Sequence, residues 1–179
     1  MMKKAVILIC IGLMMLLSAC SLMTGTDDKT EATKDVSSSD GVLQLTVPES
    51  YKETDALNDV ANLQVMNAAK EQYTITIFES KEDFSDSLTL DDFRDAVTSN
   101  MDIAVESSEY SDTETLTING YDAQQFMLSG EVSKIKIKYL VTLIETDSGF
   151  CQILSWSLQS RFDNAAETFK KIADSFTEL

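Results

Sequence analysis

Polar and apolar residues alternate through Gly41–Val47, where Leu43, Leu45 and Val47 are separated by Gln44 and Thr46. That period of two predicts a half-buried strand. Pro48 has no N–H for a ladder and marks its end. Residues 57–69 fit two patterns. Leu57, Val60, Ala61, Val65 and Ala68 make a helical stripe, whereas Leu63 and Val65 suit a short strand. The reading favours a strand over 62–67 that turns into a clear one at Tyr73–Phe78. A helix then starts after Thr89. Thr89 with Asp92 three residues on makes a capping box, and Leu88 with Phe93 a hydrophobic staple. Leu90, Phe93, Val97 and Met101 mark its buried stripe, and it ends near 103–106.

A meander follows. Strands at Thr113–Ile118 and Tyr121–Ser129 flank Asn119-Gly120, whose residues tolerate the positive φ of a type I′ turn. Strands at Lys134–Glu145 and Phe150–Gln159 are joined across Asp147-Ser148-Gly149. Leu140–Ile144 is apolar on both faces except at Thr142, as expected of a central strand covered on two sides. Phe150, Leu154, Trp156 and Leu158 line one face of the last strand, Cys151 and Ile153 the other. A closing helix, capped by Ser160 with Asp163 at N3, carries Phe162, Ala165, Ala166, Phe169, Ile172, Ala173 and Phe176 at helical spacing. Glu167 precedes Lys171 by four, the favourable order. Two helices on opposite faces predict an α+β fold: a three-layer α/β/α sandwich with a mostly antiparallel sheet.

The N-terminus changes the picture. Lys3 and Lys4 precede an uncharged apolar run, Ala5–Leu17, followed by Leu17-Ser18-Ala19-Cys20. The run is shorter than the roughly 20 residues a membrane-spanning helix needs, so residues 1–19 read as an export signal. The last four residues resemble a bacterial lipobox. The resemblance implies a diacylglyceryl group on Cys20 and a lipoprotein held on the extracytoplasmic face of a bacterial membrane. Two acyl chains anchor stably where one binds reversibly. Residues 20–40 are poor in large apolar side chains and read as a lipidated, disordered tether, leaving 41–179 as one globular domain.

Charge and composition exclude several classes. The 179 residues carry 14 basic and 30 acidic side chains, a formal net charge of −16, which opposes nucleic acid and anionic lipid headgroups. There is no histidine, which removes the usual general base and metal ligand. Cys10 and Cys20 fall in the signal and at the acylation site, so Cys151 alone remains and no internal disulfide forms. No phosphate-cradling glycine loop or nucleophile elbow is present. The expectation is a protein that is not an enzyme, with no metal or cofactor.

Val47-Pro48-Glu49-Ser50-Tyr51, Ile118-Asn119-Gly120 with Ala123, and Asp174-Ser175-Phe176 occur in the order strand, strands, helix, hairpin, two long strands, helix. In this the chain resembles the PsbP-like/Mog1-like superfamily over about residues 41–179. Many members have Trp where this chain has Tyr51. The resemblance implies a non-catalytic binding or assembly module, or a carrier of a small lipid or glycolipid. The implied partner is an envelope protein or a small apolar ligand, with the membrane engaged through Cys20.

Three groups of residues are candidate sites. Lys134, Lys136 and Lys138 alternate along one strand, as a basic stripe for an anionic group on a partner or lipid, or as a solvated segment paired with acidic neighbours on the next strand that also guards an edge. Tyr51, Trp156 and Phe126 line a ligand pocket or belong to the core. Glu82, Asp83, Asp86, Asp91, Asp92 and Asp95 gather around the first helix start, without the glycine or spacing of a calcium loop.

Overall fold

The computed structural model describes residues 31–84 and 87–179. The export signal, Cys20, the first part of the expected tether, and Asp86 lie outside the described residues. The chain runs β1 (Thr33–Ser37), β2 (Leu43–Pro48), β3 (Lys52–Glu53), β4 (Leu63–Asn67), β5 (Gln72–Ser80), α1 (Leu90–Ala104), β6 (Glu106–Tyr110), β7 (Glu114–Ile118), β8 (Tyr121–Val132), β9 (Ile135–Glu145), β10 (Gly149–Leu158), α2 (Phe162–Asp174) and β11 (Thr177–Glu178). Short 3-10 turns stand at Lys81–Asp83 and Gln159–Arg161.

Among the described residues the strands form two antiparallel sheets. The larger has the order β3-β4-β5-β10-β9-β8-β6, with β7 also paired to β8; the smaller is β1-β2-β11. Side chains alternate across the large sheet, and each set meets a different cover. Ile75, Ile77, Phe126, Leu128, Val141, Leu143, Phe150 and Leu154 pack with Leu90, Phe93, Val97 and Met101 of α1. Ile144, Cys151 and Ile153 meet Leu43, Leu45 and Val47 of β2 with Ile172, Ala173 and Phe176. Leu140 meets Phe162, Ala165 and Phe169 of α2. The three layers are therefore α1, the large sheet, and a mixed layer of α2 with the small sheet.

The local signals act as expected at α1. The Thr89 hydroxyl accepts from the Asp92 N–H at 3.2 Å, and the Asp92 carboxylate accepts from the Thr89 N–H at 3.0 Å. The Thr89 hydroxyl also donates to the Asp92 carboxylate at 2.6 Å, and this bond, with the one from the Thr89 N–H, holds the Asp92 carboxyl below its usual range. Leu88 packs against the cluster that contains Phe93. Asn119 and Gly120 take φ of 49° and 95°, the left-handed turn that joins β7 to β8. Residues 63–67 are a strand, as favoured above.

Three expectations are corrected. The tether does not extend unstructured to Asp40: Thr33–Ser37 pair antiparallel with β2, Thr33 opposite Pro48 and Ser37 opposite Gln44. Their backbone groups complete the small sheet, and only Val36 is buried. Ser160 does not cap α2. The turn Gln159–Arg161 precedes the helix, whose first turn has no side-chain cap. The strand after the Asn-Gly turn runs on to Val132, because β6 pairs with its second half.

Candidate functional site

Antiparallel register lays an aromatic row across the α1-side face of the large sheet. Lys52 of β3 stands opposite Met66 of β4, and Met66 opposite Tyr73 of β5. Tyr73 is opposite Trp156 of β10, and Trp156 opposite Tyr139 of β9. Trp156 stacks on Tyr73, with centroids 5.4 Å apart at 22°, and leans on Tyr139 at 5.8 Å. Tyr139 is buried, and burial pushes its phenol up to about 12. Met66, Tyr73 and Trp156 are half-buried. The row thus runs from core to surface, a rigid apolar strip with few rotatable bonds to freeze on contact.

Two residues beyond Trp156, Leu158 lies beside an open groove. The groove has a volume of about 470 Å³ and is lined by Ile135, Lys136, Leu158, Gln159 and Ser160. It sits where β9 begins and β10 turns into α2. Lys134 lies outside β9, in the turn, where Ser133 and Lys134 have φ of 53° and 68°. Lys136 and Lys138 lie in β9, opposite Glu131 and Ser129 of β8. The Lys138 ammonium sits 4.9 Å from the centroid of the Phe162 ring, an attractive cation–π geometry. These two lysines thus share the α2-side face, and Lys134 stands in the turn that precedes them.

The structure separates the expected aromatic trio. Tyr51 is 1 % exposed in the cluster around β2, and its hydroxyl donates to Gln72 Oε1 at 2.8 Å. Burial, with the nearby Glu31 charge, pushes its phenol well up. Phe126 is buried in the α1-side core. Tyr51 is therefore a core residue on the far side of the sheet from Trp156, because it follows β2 out of the small sheet. Cys151 is fully buried, and burial pushes its thiol up.

Of the acidic group, Glu82 and Asp83 lie in the 3-10 turn Lys81–Asp83, and Asp91, Asp92 and Asp95 are spent locally. Asp91 and Asp95 each pair with Arg94 at 3.0 Å. Asp91 also accepts from Gln124 at 2.8 Å, and Asp92 caps the helix. Among the described residues no three Asp, Glu or Cys side chains are grouped as a metal site would require.

Sequence reasoning missed three features. Tyr73 and Tyr139 join Trp156 only through strand register. The groove depends on where the β10–α2 connection passes. Gln152 is wholly buried in β10, and neither of its amide atoms has a hydrogen-bond partner. Its signal was readable, since it is a lone amide in the run Phe150–Leu154. Two residues along β5 from Ile77, which faces Gln152, Glu79 also has an unpartnered buried oxygen. Burial, then the Asp83 charge, raises its carboxyl.

No family model and no curated protein sequence matches the chain. Solved structures do. A cyanobacterial PsbP from Synechocystis sp. PCC 6803 superposes with a TM-score of 0.63 at 12% identity, over 88% of this chain and 99% of that one. LpqN of Mycobacterium tuberculosis, described as involved in cell envelope biogenesis, gives 0.60 at 12% identity, over 84% and 92%. A Pseudomonas aeruginosa protein of unknown function gives 0.52 at 8% identity, over 80% and 94%. At such identities the likeness concerns the fold alone: this chain has a PsbP-like fold, with a mostly antiparallel sheet flanked by two helices.

Proposed function

We propose that this chain is a non-catalytic binding module of the bacterial cell envelope, held at the extracytoplasmic face of a membrane by a diacylglyceryl group on Cys20. The observation that carries the binding role is the half-buried Tyr73–Trp156 stack, a preformed contact surface for an envelope protein. The setting is supported by the Leu17-Ser18-Ala19-Cys20 pattern and by the fold it shares with an envelope-biogenesis protein.

Two experiments test it. Cys20→Ala abolishes metabolic labelling with a palmitate analogue and releases the protein from the membrane fraction; unchanged labelling defeats the anchor. A photo-crosslinker placed at Met66, beside the stack, captures a discrete envelope protein in cells, and Trp156→Ala removes that adduct while leaving the circular dichroism spectrum intact. A probe at Glu114, far from the row, is the control. Equal adducts at both positions would defeat the reading.

A second reading is favoured by Gln152 and Glu79. Their unpartnered buried polar atoms suit the hydroxyl or carboxyl end of a small lipid or glycolipid carried between the sheet and α1. Native mass spectrometry after incubation with an envelope extract checks it. A stoichiometric adduct lost in Gln152→Met supports carriage, and a clean unliganded mass rejects it.

A further inference from the structure

We propose that the lysines of the β8–β9 hairpin dock an extended segment of a partner protein that carries Asp or Glu at alternate positions. This rests on the protein-binding reading above and adds the chemistry of the partner.

The first observation is one of charge. The molecule has more than twice as many acidic as basic side chains, and most described cations are neutralised locally. Lys70 pairs with Glu31, Lys81 with Glu145, Arg161 with Glu71, Lys170 with Asp174 and Lys171 with Glu167. Arg94 pairs with Asp91 and Asp95. Lys134, Lys136 and Lys138 form no ion pair among the described residues, although Glu131 stands opposite Lys136 in the ladder. Lys34 and Lys52 also lack an ion pair, so among the described residues the hairpin lysines are a run of unpaired positive charge and not the sole unpaired cations, on a surface where carboxylates are abundant.

The second observation is geometric. Lys136 and Lys138 are two residues apart on one strand, a separation of about 6.6 Å. That is also the repeat of same-side residues in an extended peptide. An acidic side chain at every second position therefore matches the lysines one for one, whereas a helix or a run of adjacent acids does not. The hairpin is closed by two left-handed residues, Ser133 and Lys134, so the spacing is fixed before binding. Lys138 is further held against Phe162.

The third observation is the groove beside Lys136. Ile135 and Leu158 supply apolar walls, Gln159 and Ser160 polar ones. It is open and not enclosed, which suits one or a few side chains of a peptide better than a swallowed ligand. The overall charge of −16 repels long polyanions and anionic bilayers, so a short acidic segment is the favoured occupant.

The test uses the full chain and labelled synthetic peptides, read by fluorescence anisotropy. One peptide alternates acidic and apolar residues. The other has the same composition with its acids in one block. The alternating peptide binds roughly tenfold more tightly, and its binding falls as salt is raised to several hundred millimolar. Substituting Lys134→Gln, Lys136→Gln and Lys138→Gln together removes binding while the far-ultraviolet spectrum stays native; the three Lys→Arg changes retain it. Equal binding of the two peptides, or unchanged binding by the Gln variant, overturns the proposal. So does lysine-dependent binding to phosphatidylglycerol vesicles in place of peptide. A second crosslinker at Gln159, in the groove beside Lys136, separates the two readings, because Met66 lies on the opposite face of the sheet. An adduct at Gln159 that is lost in the Gln variant supports the lysine site, and one that persists overturns it. The Met66 adduct tests the aromatic row alone.

Discussion

Gln152 concentrates the physics of this interior in one side chain. An amide buried without partners costs about 1–3 kcal/mol relative to a satisfied one. Met has nearly the same shape and no such need. Gln152→Met is accordingly expected to stabilise the fold by about 1 kcal/mol, read as a higher urea midpoint at unchanged slope. Glu79 makes the parallel case with charge. Its carboxyl titrates higher in the folded protein than in the unfolded chain. The folded state therefore holds the extra proton, and stability falls as pH rises through the Glu79 titration. Glu79→Gln should raise the urea midpoint at pH 7 and leave it nearly unchanged at about pH 3, where the carboxyl is protonated in both states. Gly130 shows a different constraint. A Cβ there would lie 2.8 Å from the Glu106 carbonyl oxygen, so β6 can approach β8 only over a bare backbone. Gly130→Ala is expected to cost about 1–3 kcal/mol, measured by thermal or chemical unfolding.

Elements differ in how much of their cause is local. α1 is bounded by its own residues, and Thr89→Ala should remove about 1 kcal/mol by freeing the N–H of Asp92. The Asn119-Gly120 turn and the long apolar strands were legible for the same reason: the residue types dictate the geometry. β1, β6 and β11 were not. Thr33–Ser37 and Glu106–Tyr110 are mostly polar, and their pairing comes from backbone groups seeking a partner at a sheet edge. The start of α2 misled because Ser160 has the chemistry of a cap, yet the chain makes a tighter turn first. Of the candidate residues, Trp156 proved to stand in a surface row and Tyr51 in the core. Both are aromatic residues near strand ends, and only the pairing of non-adjacent strands distinguishes them. The alternation of Lys136 and Lys138 was legible because a strand has a fixed period. That neither forms an ion pair, although Glu131 stands opposite Lys136, was not.

The whole molecule carries a net charge of −16, which acts against compaction through self-repulsion. Added sodium chloride should therefore raise the melting temperature at neutral pH, most steeply at low ionic strength where the Debye length is long. The same salt should weaken the peptide contact proposed for the β8–β9 hairpin, so the two effects of one variable run in opposite directions. At the scale of force, the position of β1 has its own consequence. Any pull on the chain ahead of Thr33 enters the fold through an outermost strand that is paired on one side only. Tension would peel β1 from β2 rung by rung, while the eight-stranded sheet, with its aromatic row and lysine hairpin, stays out of the load path.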